Sequence, residues 1–155
     1  NYIPSRGRRR TTDRGSEVIA AIDAVVPPTV PVLPHRFRYA VAICLALVVL
    51  AASVTEPSDA FPRTLFGVNF TTYLHLLAYA GLTGAIGYVL LSTDRWALLT
   101  AALIATLYGA AIELLQGPIP YRTTATADGV INAIGAVVGA ALWRGLAPLL
   151  GVDRE

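Results

Sequence analysis

Five polar residues with side chains able to bind ligands or exchange protons crowd into one stretch between two apolar runs of this sequence. The stretch reads ELLQGPIPYRTTATADGVIN and contains Glu113, Gln116, Arg122, Asp128 and Asn132. Carboxylates and amides hold polar groups by hydrogen bonds, and the planar arginine fork can hold a carboxylate or a phosphate. These residue types therefore predict a polar binding site, provided that the fold brings them together.

The composition indicates that this site lies in a membrane protein. The chain has 155 residues, of which 55% are hydrophobic and only 14% charged, which is too apolar for a small soluble domain. Four runs approach the ~20 residues needed to cross the hydrocarbon of a bilayer. They cover about residues 39–55, 73–91, 96–116 and 129–150. We predict an all-α fold, a four-transmembrane-helix bundle over residues 38–150.

The arginines set the expected orientation, because positively charged segments resist translocation. Ten of the twelve lie before the first run, between the second and third, or at the end of the fourth and beyond it: Arg6, Arg8, Arg9, Arg10, Arg14, Arg36, Arg38, Arg95, Arg144 and Arg154. Only Arg63 and Arg122 lie in the other two connections. We expect an integral protein of the cytoplasmic membrane with both termini, including the tail of residues 151–155, in the cytoplasm.

Residues 1–37 are predicted to form a cytoplasmic arm rich in arginine and proline. Ser16 can cap a short amphipathic helix over residues 16–26, and Pro27 and Pro28 end it. The arginines before this helix act either as a topology signal or as an anchor on anionic lipids or an acidic partner. The helix, the proline-rich segment and the first span could also dock the protein in a larger membrane complex.

Polar and small residues recur at spacings of three and four in three of the predicted spans, which places them on one face of each helix. These stripes are Thr72, His75, Tyr79 and Thr83 in the second span, Thr106, Gly109, Glu113 and Gln116 in the third, and Asp128, Asn132, Gly135 and Gly139 in the fourth. Small residues let helices approach closely in lipid, so Gly135 and Gly139 predict close helix packing.

The alternating directions of the spans bring His75, Glu113 and Asp128 to the same depth below the outer surface. Polar groups in spanning segments are costly and normally face the bundle interior, so the three stripes predict one shared pocket. Arg122 is the expected partner of Glu113 or Asp128. A closed polar clamp that pins the helices and binds nothing is the structural alternative.

A metal ion could be held by His75, Glu113 and Asp128, but the sequence has no paired-histidine spacing, and we expect neither a metal nor another cofactor. Cys44 is the single cysteine and lies inside the first apolar run, so it forms no intrachain disulfide. We expect Cys44 to be a small buried residue.

At these residues the sequence resembles the VanZ-like family of small multi-span membrane proteins, over roughly residues 39–145. The resemblance rests on the polar residues of the last three spans and their intervals: His75, Glu113, Gln116, Arg122, Asp128, Asn132 and Gly135. Family members often carry an Asp-Lys pair before the histidine, where this chain has Thr71 and Thr72. The resemblance implies a role at the cell envelope, through a founding member linked to teicoplanin resistance, without implying a particular reaction.

Three functions fit these observations. The first is a pocket that binds the head group of an amphiphile or envelope lipid, with Arg122 holding an anionic group and His75, Glu113, Gln116, Asp128 and Asn132 supplying hydrogen bonds. The second is a structural accessory subunit of a larger membrane complex. The third is an intramembrane acid/base enzyme, in which His75 and either Glu113 or Asp128 exchange protons during hydrolysis or transfer on an envelope lipid. We expect membrane lipids as partners and no nucleic acid.

Overall fold

The computed structural model describes residues 32–56, 62–120 and 126–152. Four long helices make up most of this part of the chain: α1 (His35–Val54), α2 (Phe70–Leu90), α3 (Arg95–Gln116) and α4 (Thr126–Leu146). The predicted all-α class with four helices is confirmed. The predicted helix 16–26 and most of the cytoplasmic arm lie outside the described residues.

All four helices are long and apolar enough to cross a membrane, the fourth together with the 3-10 helix Ala147–Leu150 that follows it. Large apolar side chains are exposed on every helix, including Val48, Leu77, Leu107 and Val137. Hydrocarbon tails are as apolar as leucine, so this outward surface suits a lipid environment.

Local sequence sets the ends of the helices at the connection between α2 and α3. The carboxylate of Asp94 accepts hydrogen bonds from the backbone N–H groups of Trp96 at 2.8 Å and Ala97 at 3.0 Å. This is an N-cap, which satisfies donors that have no partner inside the helix, so α3 begins at Arg95. On the other side, Leu91 adopts a left-handed conformation and its N–H donates to the carbonyl of Gly87, which ends α2.

A two-stranded hairpin, which the sequence analysis did not predict, precedes α2. Strands β1 (Thr64–Leu65) and β2 (Val68–Asn69) pair antiparallel. Phe66 and Gly67 between them both have positive φ, at 50° and 79°, as a tight two-residue turn requires. The hydroxyl of Tyr73 donates to the carbonyl of Leu65 at 3.2 Å, so the hairpin is attached to the first turn of α2.

Helices α2 and α4 run parallel and lie in close backbone contact. A Cβ added to Gly135 would lie 2.6 Å from the carbonyl oxygen of Leu76, and one added to Gly139 would overlap the carbonyl of Ala80. Glycine is therefore required at both positions by the neighbouring backbone.

Around this contact the buried side chains of the bundle form two clusters, one near the middle and one around Trp143. They comprise Val49, Tyr79, Leu82, Ala102, Ala105, Ile112 and Ala136, and then Leu98, Trp143 and Ala147.

Helix α1 packs on the side of this core and remains largely exposed. Val49 is its one buried residue. Cys44 is exposed, which corrects the expectation that it is buried. The physical reason is that α1 contacts the other helices along one narrow face. A residue in the middle of a span is expected to be buried only when other helices surround that span.

Arg38 joins the start of α1 to the end of α2. One guanidinium nitrogen, Nη1, donates to the carbonyl oxygens of Tyr88 at 3.1 Å and Val89 at 2.7 Å. These carbonyls belong to the last turn of α2, where no intrahelical donor remains and the helix dipole is negative. A positive side chain at this point therefore stabilises the antiparallel contact of α1 with α2.

We expect Arg38→Ala to lower the free energy of unfolding by about 2 kcal/mol, because two charge-assisted hydrogen bonds to the end of α2 are lost. Arg36→Ala is the matched control, since Arg36 is exposed and contacts the ring of its neighbour Phe37. Denaturant unfolding of the purified protein in detergent, followed by circular dichroism, compares the two variants. Equal stability of both variants would show that Arg38 does not hold α1 in place.

Candidate binding site at the polar end of the bundle

Six of the predicted site residues lie in the half of the bundle where α1 and α3 end and α2 and α4 begin. We term this half the polar end; its helix termini are Val54, Phe70, Gln116 and Thr126. The six residues come from three helices: His75, Tyr79, Glu113, Gln116, Asp128 and Asn132. Arg122 lies outside the described residues, so its predicted pairing with Glu113 or Asp128 stays a prediction.

A hydrogen bond between His75 and Asn132 is the centre of the site. The imidazole Nδ1 lies 2.8 Å from the amide Oδ1 of Asn132. An amide oxygen only accepts, so Nδ1–H of the imidazole is the donor. The ring of Tyr79, one turn along α2, stacks against the imidazole with centroids 6.3 Å apart. Both the position of the His75 ring and the proton on its Nδ1 are therefore fixed by its neighbours.

Gly109 on α3 provides the space in which Asn132 and Tyr79 lie. A Cβ at this position would be 2.8 Å from a ring carbon of Tyr79 and 2.9 Å from the amide Nδ2 of Asn132. Asn132 is only 1% exposed, and its Nδ2 has no hydrogen-bond partner among the residues that the structure describes. Unpaired buried donors are uncommon and costly, so this nitrogen requires an acceptor that the described residues do not supply.

Two carboxylates, Glu113 and Asp128, lie beside this hydrogen-bonded pair. Both are half-buried, and Glu113 is within electrostatic range of Asp128 and His75. Asp128 lies in the first turn of α4, whose positive dipole end suits a negative charge. Glu113 lies in the last turn of α3, where the dipole is negative, so the helix itself does not favour this carboxylate.

Gln116 is positioned differently from the other polar residues of α3. Its amide Nε2 donates to the backbone carbonyl of Ser53 on α1 at 2.6 Å, and the side chain is buried. Two turns earlier on α3, the hydroxyl of Tyr108 donates to the carbonyl of Ala46 at 2.6 Å. These two bonds fasten α3 to α1, so Gln116 acts as a helix contact in this structure.

Three features of this region were not predicted from the sequence: the contacts of Ser53 and of Ala46, and the space made by Gly109. The first two take part through backbone carbonyls, which every residue has, so no sequence signal could identify them. The spacing of Gly109 from Glu113 places Gly109 on the polar face of α3. A glycine on this face, beside bulky polar residues, was the sequence signal for the close approach of a neighbouring helix.

Other ligand positions do not coincide with this site. Within residues 32–56, 62–120 and 126–152, no three His, Cys, Asp or Glu side chains could together hold a metal ion. A shallow apolar groove follows α4, lined by Gly129, Val130, Ala133, Ile134, Val137 and Val138. At 3.6 residues per turn this groove faces away from Asn132, so it is part of the outward surface of the bundle.

Comparison with known proteins gives one match. A family model described as VanZ/LLP1 matches residues 56–149, which include α2, α3, α4 and every residue of the polar site. No curated protein and no solved structure matches the chain.

Proposed function

The chain belongs to the VanZ/LLP1 family, whose model matches residues 56–149, and we propose that its polar end binds the head group of an amphiphile, such as an envelope lipid. One observation carries this proposal. The bond between His75 and Asn132 leaves a buried amide donor unpaired beside two half-buried carboxylates, all at one end of an apolar bundle. Polar residues that only hold the helices together do not require an unpaired donor.

Within this proposal, each polar residue has a distinct part. Asn132 donates through Nδ2 to an acceptor oxygen of the head group, and His75 offers Nε2. Glu113 and Asp128 orient the polar part of the ligand. Arg122 holds an anionic group, as its residue type and its place in the adjoining connection predict.

We also propose that the polar end faces the outside of the cell, with both termini in the cytoplasm. The support is the arginine distribution, ten against two, which follows the rule that positive charge remains on the cytoplasmic side. In this orientation the head group comes from the outer leaflet.

The experiment that tests the binding proposal is analysis of the lipids that remain on the purified protein. We expect one amphiphile to be enriched over the bulk membrane, and to be lost in Asn132→Leu and in Arg122→Ala. Arg144→Ala is the control, because this exposed arginine lies in the last turn of α4 at the opposite end. The absence of any enriched amphiphile, or an unchanged lipid profile in Asn132→Leu, would contradict the proposal.

A second function, an accessory subunit of a larger membrane complex, is favoured by one observation. Helix α1 leaves most of its length uncovered, with Phe37, Ile43, Leu47 and Val48 about half exposed or more. Deletion of residues 1–34 separates the two functions. A subunit that docks through its arm will no longer co-purify with its complex, whereas the lipid profile of a self-contained binding protein will be unchanged.

A further inference from the structure

We propose that the head group bound at the polar end carries a positively charged nitrogen between Glu113 and Asp128, with an oxygen acceptor about one helix turn deeper. The ligand class is an amphiphile with an amino-alcohol head group, of which phosphoethanolamine is the simplest membrane example. This inference rests on the proposed function and adds the chemistry of the ligand.

Two carboxylates, Glu113 and Asp128, carry the acidic charge of the polar site in the described part of the chain. Glu113 and Asp128 come from different helices, are half-buried and interact electrostatically. In the described part of the chain, neither carboxylate has a hydrogen bond or an ion pair. Two such carboxylates repel each other, and a cation placed between them removes the repulsion and gains attraction to both.

The position of Glu113 in its helix also favours a positively charged ligand group. Its carboxylate lies in the last turn of α3, and no basic residue occupies that turn. A negative charge there opposes the helix dipole, whereas a cation is favoured at a helix C-terminus. The bundle thus supplies a negative charge and a negative helix end together, and both are suited to a positively charged ligand group.

Independently of the carboxylates, Nδ2 of Asn132 is a buried donor that has no partner in the described part of the chain, and it requires an acceptor. A simple cation would leave this donor unpaired, so the ligand must also present an oxygen. The nitrogen is enclosed in the structure, so the oxygen reaches it after a side-chain movement at the polar end.

The order of these groups along the bundle matches the order of groups in a lipid. Asn132 lies one turn deeper than Asp128 on α4, and its neighbour Gly109 lies one turn deeper than Glu113 on α3. Four residues rise about 6 Å along the helix axis. The acceptor oxygen is therefore nearer the bilayer centre and the charged nitrogen nearer the surface, as in a phospholipid with a terminal amine.

The test uses the full chain, stripped of lipid in detergent and reloaded with an equimolar mixture of three lipids with identical acyl chains. The probes are phosphatidylethanolamine and phosphatidylcholine, which carry a positive nitrogen, and phosphatidylglycerol, which does not. Mass spectrometry of the retained lipids gives their ratio. We expect the two nitrogen-bearing lipids to be retained about tenfold over phosphatidylglycerol, because their positive charge is attracted to the two carboxylates whether or not the nitrogen carries an N–H.

Glu113→Gln and Asp128→Asn should each bring this ratio close to one, because both changes remove charge with almost no change of shape. Glu56→Gln is the matched control, since Glu56 is an exposed carboxylate just beyond α1 at the same end. Helix content by circular dichroism and a single peak in size-exclusion chromatography verify that the variants are folded. A wild-type ratio near one, a preference for phosphatidylglycerol, or a preference that persists in both variants would overturn the inference.

The failure of this inference can be told apart from failure of the proposed function. Retention that is lost in Asn132→Leu but shows no preference for charged nitrogen overturns only the ligand class. Retention that is the same in Asn132→Leu as in the wild type overturns the proposed function and the ligand class together.

Discussion

Replacing Gly139 with alanine will destabilise the bundle by about 2 kcal/mol or more. The new methyl group would overlap the backbone carbonyl of Ala80. Backbone cannot move aside as a flexible side chain can, so α4 must shift away from α2. In lipid, helix association depends on such close packing, and its loss is not compensated by a hydrophobic effect.

Gly145→Ala provides the matched control for this prediction. Gly145 lies on the same helix, and a Cβ there meets nothing within 4 Å. Alanine is the better helix former by about 1 kcal/mol, so this variant should be as stable as the wild type or slightly more stable. Unfolding of both variants in detergent, followed by circular dichroism, measures the difference. A similar loss of stability at both positions would show that helix propensity, and not contact with Ala80, determines the result.

Separate loss of His75 and of Asn132 is expected to cost about 2 kcal/mol each, and loss of both together about 2 kcal/mol rather than 4. Asn132→Leu leaves the Nδ1–H of His75 without its acceptor. His75→Phe keeps a ring beside Tyr79 but leaves both polar atoms of the buried amide unpaired. Each single variant therefore contains an unpaired polar group that the double variant lacks.

A double-mutant cycle on unfolding free energies measures this coupling. Thr100→Val is the control, because its hydroxyl bonds only to the carbonyl of Trp96 in the same helix and is exposed. That change should alter stability by less than about 0.5 kcal/mol. If the effects at His75 and Asn132 simply add, the 2.8 Å hydrogen bond between them does not contribute to stability.

The sequence was sufficient to predict four membrane helices and the faces that carry their polar residues. Both are local properties: crossing hydrocarbon requires about 20 apolar residues in a row, and helical periodicity alone places residues four apart on one face. The GxxxG spacing of Gly135 and Gly139 likewise depends on one helix. The turn at Phe66 and Gly67 was not predicted, because a phenylalanine in the left-handed region has no strong sequence signal.

Only the tertiary structure decided which polar residues meet. His75 and Asn132 bond to each other, while Gln116, on the same predicted polar surface, bonds to the carbonyl of Ser53 on α1. Helical periodicity gives the direction in which a side chain leaves its own helix. It gives neither the rotation of a neighbouring helix about its axis nor the backbone carbonyl that this neighbouring helix presents. That rotation is set by packing, here by the close contact of α4 with the backbone of α2 and by the space at Gly109.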